Sequence, residues 1–323
     1  MSEQNHSRPP LDPQCQAVLD AAAAGGGFAF EKPDHRAIRA GYAATTATFA
    51  PPTPDLARVQ DLSVPASGDD PAIPIRVYHP AGVGEAAPAV MFFHGGGWVL
   101  GDIESHDAIC RILAVRSDAI VVSVDYRLAP ENPFPGAPND CERATRFIAA
   151  HAADFGIDAN RIALAGDSAG GNLAAVVARR LRDAGDGPSI VFQALTYPAT
   201  NFAAEGGSLV ENGTGYMLTK ATMDQFRGMY LANEAAWQNP DASPLLAEDL
   251  AGLPPALVQV AGYDPLRDEG LAYADRLREA GVATQVIAYP TMIHGFLRMG
   301  RLVNMAQVGM DDIATALRRA FGT

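Results

Sequence analysis

The sequence has few cysteines, and none of them stands in a metal-binding pattern. Cys15, Cys110 and Cys141 are the only three in 323 residues, and they lie far apart. Their odd number and wide spacing argue against a disulfide framework and against a zinc site built on cysteine. We therefore expect unpaired thiols in a reducing compartment and no bound metal.

The sequence is also short of positive charge and of long apolar runs. Lysine and arginine number 24 against 37 aspartates and glutamates, which gives a formal net charge of −13. An acidic surface repels phosphate backbones, so we expect no nucleic-acid partner. No stretch approaches the roughly 20 apolar residues that span a bilayer. A secretory signal has a basic segment followed by an apolar run, and the N-terminus does not show this pattern. We expect a cytoplasmic protein that does not bind membranes.

Short apolar runs alternate with helical patterns along most of the chain. Such runs predict strands buried on both faces of a sheet. The strand-like runs are residues 73–79, 88–93, 119–124, 161–166, 189–197, 256–262 and 283–289. The helical patterns are residues 106–116, 137–153, 169–184, 266–280 and 302–321. This alternation predicts an α/β fold with a mostly parallel sheet covered by helices on both faces.

Two segments depart from the alternation. Residues 1–50 are Ala-rich, with apolar residues at helical spacing, and they end at a Pro-rich break at residues 51–54. Residues 199–237 are Gly-rich and then helical, and they are too long for a plain connection. The first segment is interpreted as an appendage to the main domain. The second is either a functional insertion or a disordered loop, and its aromatic and methionine residues favour packing over disorder.

Residues 166–170, with the sequence GDSAG, have the form G-x-S-x-G between an apolar run and an Ala-rich helical pattern. A sharp turn from strand to helix exposes the serine above the sheet. The N-terminus of the helix then places free N–H groups beside it. A plain Gly-rich turn with an N-cap serine could carry the same letters, so the motif depends on its context. The context favours Ser168 as a nucleophile.

Residues 94–98, with the sequence HGGGW, follow a strand-like run directly. Three glycines remove every β-carbon from the loop, so its N–H groups can approach a ligand closely. Such a loop can stabilise the oxyanion of a tetrahedral intermediate, together with the N–H that follows the nucleophile. We predict Gly95, Gly96 and Ala169 as the donors. His94 is interpreted as holding the loop in shape rather than as a base.

After Ser168 the chain carries an acid and then a base, which gives the order Ser, Asp, His that α/β-hydrolases use. Asp264 and His294 each lie just past the carboxyl end of a predicted strand, where open α/β sheets place their sites. We predict that His294 is the general base and that Asp264 orients it. Asp268 and Glu269 are rival acids, but they fall within the next predicted helix, where we expect them to be solvated.

Five motifs recur together in one known family. They are HGGGW at 94–98, DYRLAPE at 125–131, GDSAGGN at 166–172, DPLRDEG at 264–270 and HGF at 294–296. From about residue 60 onward, the chain resembles the hormone-sensitive-lipase family of esterases, the bacterial family IV, in its GDSAG branch. The resemblance implies the α/β-hydrolase fold, the triad Ser168, Asp264 and His294, and no metal or other cofactor.

The same resemblance implies a helical cap over the site. Residues 1–50 would form its N-terminal helices and residues 199–237 would complete it, above a catalytic domain of residues 51–323. The side chains expected to enclose an apolar pocket are Phe49, Phe202, Tyr216, Met223 and Phe226. The implied activity is a carboxylesterase that hydrolyses short- to medium-chain acyl esters through an acyl-enzyme.

Other activities remain open at this point. The same triad could serve an amidase, a formamidase or a lactonase, because fold does not determine substrate. Plant gibberellin receptors resemble this family without the catalytic histidine, but His294 is present here, which disfavours a receptor. The run at 283–289 is expected to be the last strand of the sheet. An exposed sheet edge of this kind favours pairing with a second copy, so a homodimer through this strand is a further hypothesis.

Overall fold

An eight-stranded sheet organises the chain, which the computed structural model describes for residues 8–24 and 34–323. Parts of the predicted N-terminal cap, residues 1–7 and 25–33, lie outside the described residues. The strands are β1 Arg58–Val64, β2 Ile73–His79, β3 Ala87–Phe93, β4 Ile120–Val124, β5 Ile157–Asp167, β6 Ile190–Thr196, β7 Ala256–Tyr263 and β8 Thr284–Ile293. Their order across the sheet is β1-β2-β4-β3-β5-β6-β7-β8. The β1–β2 and β2–β4 pairs are antiparallel and all others are parallel.

Helices cover this sheet on both faces. Every residue of β3, β4 and β7 is buried, and successive side chains of a strand point to opposite faces. The helices are α1 Pro13–Ala24, α2 His35–Phe49, α3 Ile103–Ser117, α4 Gly136–Ala150, α5 Ala169–Ala184, α6 Gly207–Glu211, α7 Lys220–Tyr230, α8 Glu234–Trp237, α9 Arg267–Glu279 and α10 Met305–Phe321. Helix α3 packs with α10, and α4 packs with α5. The predicted mostly parallel α/β sheet is confirmed.

The strand predictions succeed in the interior and fail at one edge. The segment 73–79 is β2 without a change of bounds, and 283–289 is the core of β8, which lies at the sheet edge as expected. The sequence pattern does not predict β1, because its residues, RVQDLSV, form no continuous apolar run and most of its side chains keep some exposure. Side chains that stay partly exposed need not be apolar, so β1 forms without an apolar run.

The N-terminal helices α1 and α2 pack against the C-terminal part of the chain. The backbone N–H of Asp12 donates to the carbonyl of Thr291 at 3.0 Å, and Cys15 Sγ lies 3.7 Å from Met292 Sδ. Further along, α2 packs against a 3-10 turn at Phe296–Met299. Within the described ranges, no helix combines the length and the apolar character that crossing a bilayer requires.

The segment 199–237 separates β6 from β7 and carries three helices, α6, α7 and α8. It is therefore ordered into helices, as its sequence pattern predicts. Helix α7 begins after Thr219, whose side chain accepts the N–H of Thr222 and caps the helix. Phe226 and Tyr230, four residues apart on α7, are both buried, which fits one apolar helix face turned inward.

Candidate active site

Ser168, His294 and Asp264 form a continuous hydrogen-bonded chain. His294 Nε2 lies 2.9 Å from Ser168 Oγ, and His294 Nδ1 lies 2.7 Å from Asp264 Oδ2. Asp264 is fully buried, and its second oxygen accepts the N–H of Leu266 at 2.9 Å. The ring of Tyr197 packs 4.7 Å from the imidazole of His294. The structure thus brings together the three side chains that the sequence predicts, in an order suited to proton transfer.

The turn that carries Ser168 is strained and closely packed. It lies between β5 and α5, with φ 57° and ψ −117°, a conformation that L-residues rarely adopt. A β-carbon on Gly170 would lie 1.8 Å from the carbonyl oxygen of Phe93, so only glycine fits there. Strain of this kind is found where function requires an exposed side chain. The predicted nucleophile turn therefore has the geometry that the motif implies.

The Gly-rich loop after β3 requires a correction to the predicted oxyanion donors. The N–H of Gly95 donates to Asp167 Oδ1 at 2.9 Å, and Gly95 does not line the cavity beside Ser168. The prediction for Gly95 does not fit this geometry, because its N–H is already bonded to a buried carboxylate. Gly96 and Gly97 do line the cavity. Among the described residues, their N–H groups and that of Ala169 meet no acceptor.

Asp167, the residue before Ser168, is a buried carboxylate to which the sequence pattern assigns no role. Its Oδ1 lies 3.2 Å from His106 Nε2, and His106 Nδ1 lies 3.0 Å from the hydroxyl of Ser105. Burial by itself raises the pKa of Asp167, but His106, the charge of Arg298 and the N–H of Gly95 lower this pKa to about 2. The carboxylate is therefore charged and fixed beneath the Gly-rich loop.

His94 packs inside the same loop. Its ring stacks on Tyr126 with the centroids 4.2 Å apart, and Nδ1 lies 2.9 Å from the carbonyl oxygen of Gly95. Burial lowers the pKa of His94 to about 4, so the ring stays neutral at physiological pH. These contacts agree with the interpretation that His94 shapes the loop and is not the base.

The two rival acids after Asp264, Asp268 and Glu269, differ in how deeply they are buried. The expectation that Glu269 is solvated is wrong. Its carboxylate is buried and accepts the N–H groups of Thr200 and Asn201 at 2.5 and 3.1 Å. Burial raises the pKa of Glu269 to about 8. Asp268 is roughly half exposed and accepts the N–H of Ser208 at 2.7 Å. Both acids hold the start of the 199–237 segment against α9.

A cavity of about 450 Å³ opens onto Ser168 and His294. Its walls include the side chains of Tyr42, Phe202, Met217, Met223 and Phe226. Of the five residues predicted to enclose a pocket, Phe202, Met223 and Phe226 line the cavity. Phe49 packs against the core instead, and Tyr216 packs edge-on against Tyr263. The cavity wall thus draws on α2 and on the 199–237 segment.

Gly97 shows how closely this wall meets the Gly-rich loop. Its φ is 61°, and a β-carbon there would lie 2.2 Å from Cδ2 of Phe226. The ring of Phe226 therefore packs directly on the loop backbone. Trp98, the next residue, stacks on Tyr230 of α7 with the ring centroids 4.7 Å apart. The loop and α7 form one packed unit beside the cavity.

A mostly parallel α/β sheet with a Ser–His–Asp chain at the carboxyl ends of its strands defines an α/β-hydrolase type of protein. A sequence profile described as the alpha/beta hydrolase fold matches residues 90–298, which is more than half of the chain. The chain belongs to this family. Its resemblance to the hormone-sensitive-lipase branch is likewise confirmed by its relatives.

Those relatives share both sequence and structure with the chain. The carboxylic ester hydrolase LipN of Mycobacterium tuberculosis is 46% identical over 265 residues, which cover 80% of this chain and 70% of that protein. The carboxylesterase NlhH of the same species is 39% identical over 325 residues and 99% of each chain. The structure of a hyperthermophilic esterase from Pyrobaculum calidifontis has a TM-score of 0.90 and 40% identity, with 96% of this chain and 99% of that chain covered.

Proposed function

We propose that the protein is a carboxylesterase that hydrolyses small carboxylic esters through an acyl-enzyme. One observation carries the proposal: Ser168 Oγ, His294 and Asp264 are joined by hydrogen bonds of 2.9 and 2.7 Å at the floor of an apolar cavity. The relatives named as carboxylesterases and ester hydrolases support the same reaction class.

The proposed reaction begins with attack by Ser168 Oγ on the ester carbonyl carbon, while His294 Nε2 takes the hydroxyl proton. Asp264 holds the proton on His294 Nδ1 and stabilises the imidazolium. The negative charge that develops on the carbonyl oxygen is stabilised by N–H donors, for which we propose Gly96, Gly97 and Ala169. This set replaces Gly95 with Gly97, because the Gly95 N–H is bonded to Asp167.

His294 then gives its proton to the leaving alkoxide, and the alcohol departs. Water attacks the acyl-enzyme with His294 again as the base, which releases the acid and restores Ser168. Every step uses groups of the chain and water, so the sequence expectation of no cofactor is retained in the proposal.

We propose that the substrates have short to medium acyl chains. The cavity of about 450 Å³ has apolar walls from Phe202, Met223 and Phe226. Each buried methylene adds about 0.8 kcal/mol of binding until the walls are reached. Longer chains must then clash or remain in water. The expected substrates are esters of acids with two to about eight carbons.

The experiment compares kcat/KM for p-nitrophenyl esters from acetate to palmitate, with Ser168→Ala as the inactive control. We expect a maximum at short or medium length and a steep fall toward palmitate. A maximum at palmitate would contradict the enclosed-pocket proposal. Matched p-nitroanilides test the alternative amidase activity, and labelling with a fluorophosphonate tests whether Ser168 is reactive at all.

The remaining expectations from the sequence also stand as proposals. We propose that residues 1–50 and 199–237 act together as a cap on a catalytic domain of residues 51–323, since both segments contribute to the cavity wall. The three unpaired cysteines support a reducing, cytoplasmic location. The position of β8 at the sheet edge supports a homodimer, which light scattering over a range of protein concentrations can test.

A further inference from the structure

Among the described residues, three cationic side chains line the cavity, and they differ in how their charge is balanced. Lys220 and Arg227 both pair with the carboxylate of Asp224. Arg298 has no carboxylate within ion-pair distance among the described residues. A cation that lines an apolar cavity without a partner is costly unless something else balances it. Arg298 is therefore the one of these three cations that no described carboxylate contacts, although the charge of Asp167 acts on it from beyond ion-pair distance.

Arg298 is held beside the reacting groups. It lies in the 3-10 turn Phe296–Met299, which begins two residues after His294. Its Nη1 donates to Thr46 Oγ1 of α2 at 3.1 Å, and its guanidinium lies 4.5 Å from the centre of the Tyr42 ring. A β-carbon on Gly295 would lie 3.5 Å from Nη2. The guanidinium is thus fixed between α2 and the backbone that follows His294.

Most of the hydrogen-bonding capacity of this guanidinium is unused. Arginine carries five N–H donors in a fixed plane, and Arg298 donates to Thr46 alone within the described part of the chain. Asp167 also lines the cavity and its charge acts on Arg298, but no hydrogen bond joins them, and Asp167 Oδ1 is bonded to Gly95 and His106. Paired N–H groups on one edge of a guanidinium match the two oxygens of a carboxylate.

We propose that Arg298 binds a carboxylate carried by the ester substrate, so that the enzyme prefers anionic esters to neutral esters of the same shape. This proposal rests on the proposed esterase function and adds a substrate class to it. The carboxylate belongs to the alcohol half of the ester. His294 delivers its proton to the leaving alkoxide, and Arg298 follows His294 on the same stretch of backbone.

The test compares two aryl acetates that differ in one group. 3-Acetoxybenzoate carries a carboxylate on its alcohol half, and 3-methylphenyl acetate carries a methyl group at the same ring position. The measured quantity is the ratio of their kcat/KM values in wild type and in Arg298→Gln. A charge-assisted hydrogen bond corresponds to about a tenfold to hundredfold effect. We expect a wild-type ratio above about ten and a ratio near one in Arg298→Gln.

The control variant is Arg301→Gln. Arg301 lies three residues further along, is exposed, and donates to the carbonyl of Ala50 outside the cavity. The ratio of the two kcat/KM values in Arg301→Gln should equal that of wild type, because this substitution removes a positive charge outside the cavity. A wild-type ratio at or below one, or an equal ratio in wild type and Arg298→Gln, would overturn the proposal.

Direct binding separates this proposal from the proposed esterase function and does not depend on turnover. The probe is 3-hydroxybenzoate, with 3-methylphenol as its neutral match, and affinity is measured by calorimetry. We expect Ser168→Ala to bind 3-hydroxybenzoate at least tenfold more tightly than 3-methylphenol. Adding Arg298→Lys to it should weaken this preference, because an ammonium lacks the planar pair of donors. If wild type hydrolyses neither acetate, the esterase function fails. Equal binding of the two probes overturns the anion site whether or not the esters are cleaved.

Discussion

Asp167 Oδ1 accepts a hydrogen bond from the backbone N–H of Gly95 at 2.9 Å, across 72 positions of sequence. The residue before the proposed nucleophile Ser168 therefore holds the loop on which the proposed oxyanion donors Gly96 and Gly97 lie. Because the carboxylate is buried and charged, this contact is of the stronger, charge-assisted kind. The position of the loop relative to Ser168 depends on it directly.

Removing this contact should reduce the rate more than the affinity. In Asp167→Ala the N–H of Gly95 loses its acceptor, and we expect kcat for p-nitrophenyl butyrate to fall roughly tenfold or more. Asp167→Asn keeps an oxygen that can accept the same bond and should lose less. Thermal unfolding of both variants is the control for folding. Equal losses of kcat in the two variants would show that the hydrogen bond to Gly95 is not what matters.

Ser168→Ala should abolish hydrolysis and leave the fold intact. Loss of the hydroxyl removes the acyl-enzyme route, and triad deletions in other hydrolases cost about four to six powers of ten. The turn itself should become no more strained, because alanine has the same β-carbon at φ 57°. The measurement is kcat/KM with a titration of active sites, and activity above a trace would identify another nucleophile.

Asp264→Asn should be far more damaging than Asp268→Asn. Asp264 contacts His294 Nδ1 at 2.7 Å, whereas Asp268 bonds to the backbone of Ser208 away from the imidazole. An amide at 264 favours the wrong imidazole tautomer, and the same change in a serine protease triad lowers kcat about 10⁴-fold. Comparable losses of kcat/KM at both positions would contradict the assignment of Asp264.

Gly97→Ala should damage activity because its new methyl group would meet the ring of Phe226. The matched control is Gly185→Ala, since Gly185 has φ 70° and open space where a β-carbon would lie. In both variants, alanine in a left-handed conformation costs about 1–2 kcal/mol. We expect a fall of kcat/KM only in Gly97→Ala. Similar activities of the two variants would show that Phe226 yields easily and that the loop is not tightly placed.

Glu269 should make stability depend on pH between about 4.5 and 8. The pKa of its buried carboxyl is raised from 4.5 to about 8, so the folded state keeps a proton that the unfolded state loses. This contribution to stability is complete below pH 4.5 and disappears as the pH rises to 8. Glu269→Gln lacks it and can still accept the N–H groups of Thr200 and Asn201.

The check on Glu269 is the free energy of unfolding of wild type and Glu269→Gln, measured in urea at several pH values. Wild type should lose stability relative to the variant as the pH rises from 5 to 8, and the difference should be constant above that. Glu279→Gln, at the exposed end of the same helix, is the control. A difference that does not change with pH would mean that Glu269 is ionised throughout.

The features predictable from sequence are those set by local pattern. Apolar runs mark the buried strands, and the small residues around Ser168 mark the nucleophile turn. The wrong predictions at the site concern residues whose environment is set by contacts with distant segments. The direction of the Gly95 N–H depends on Asp167, and the burial of Glu269 depends on a segment nearly seventy residues before it. The hydrophobic pattern within one segment cannot predict its contacts with a distant segment. The missed strand β1 has a different cause, because most of its side chains are not buried and need not be apolar.

The N-terminal helices α1 and α2 can make their contacts with residues 291–299 only after most of the chain has been synthesised. Helix α2 supplies Tyr42 and Thr46, which contact Arg298, and α1 rests on Met292. On the ribosome these helices emerge long before residues 291–299, which also include His294. A chain that ends before residue 291 therefore has neither the proposed base His294 nor the support for this wall of its cavity. Both depend on residues 291–299, so neither the proposed base nor this wall can be in place before that stretch has been synthesised.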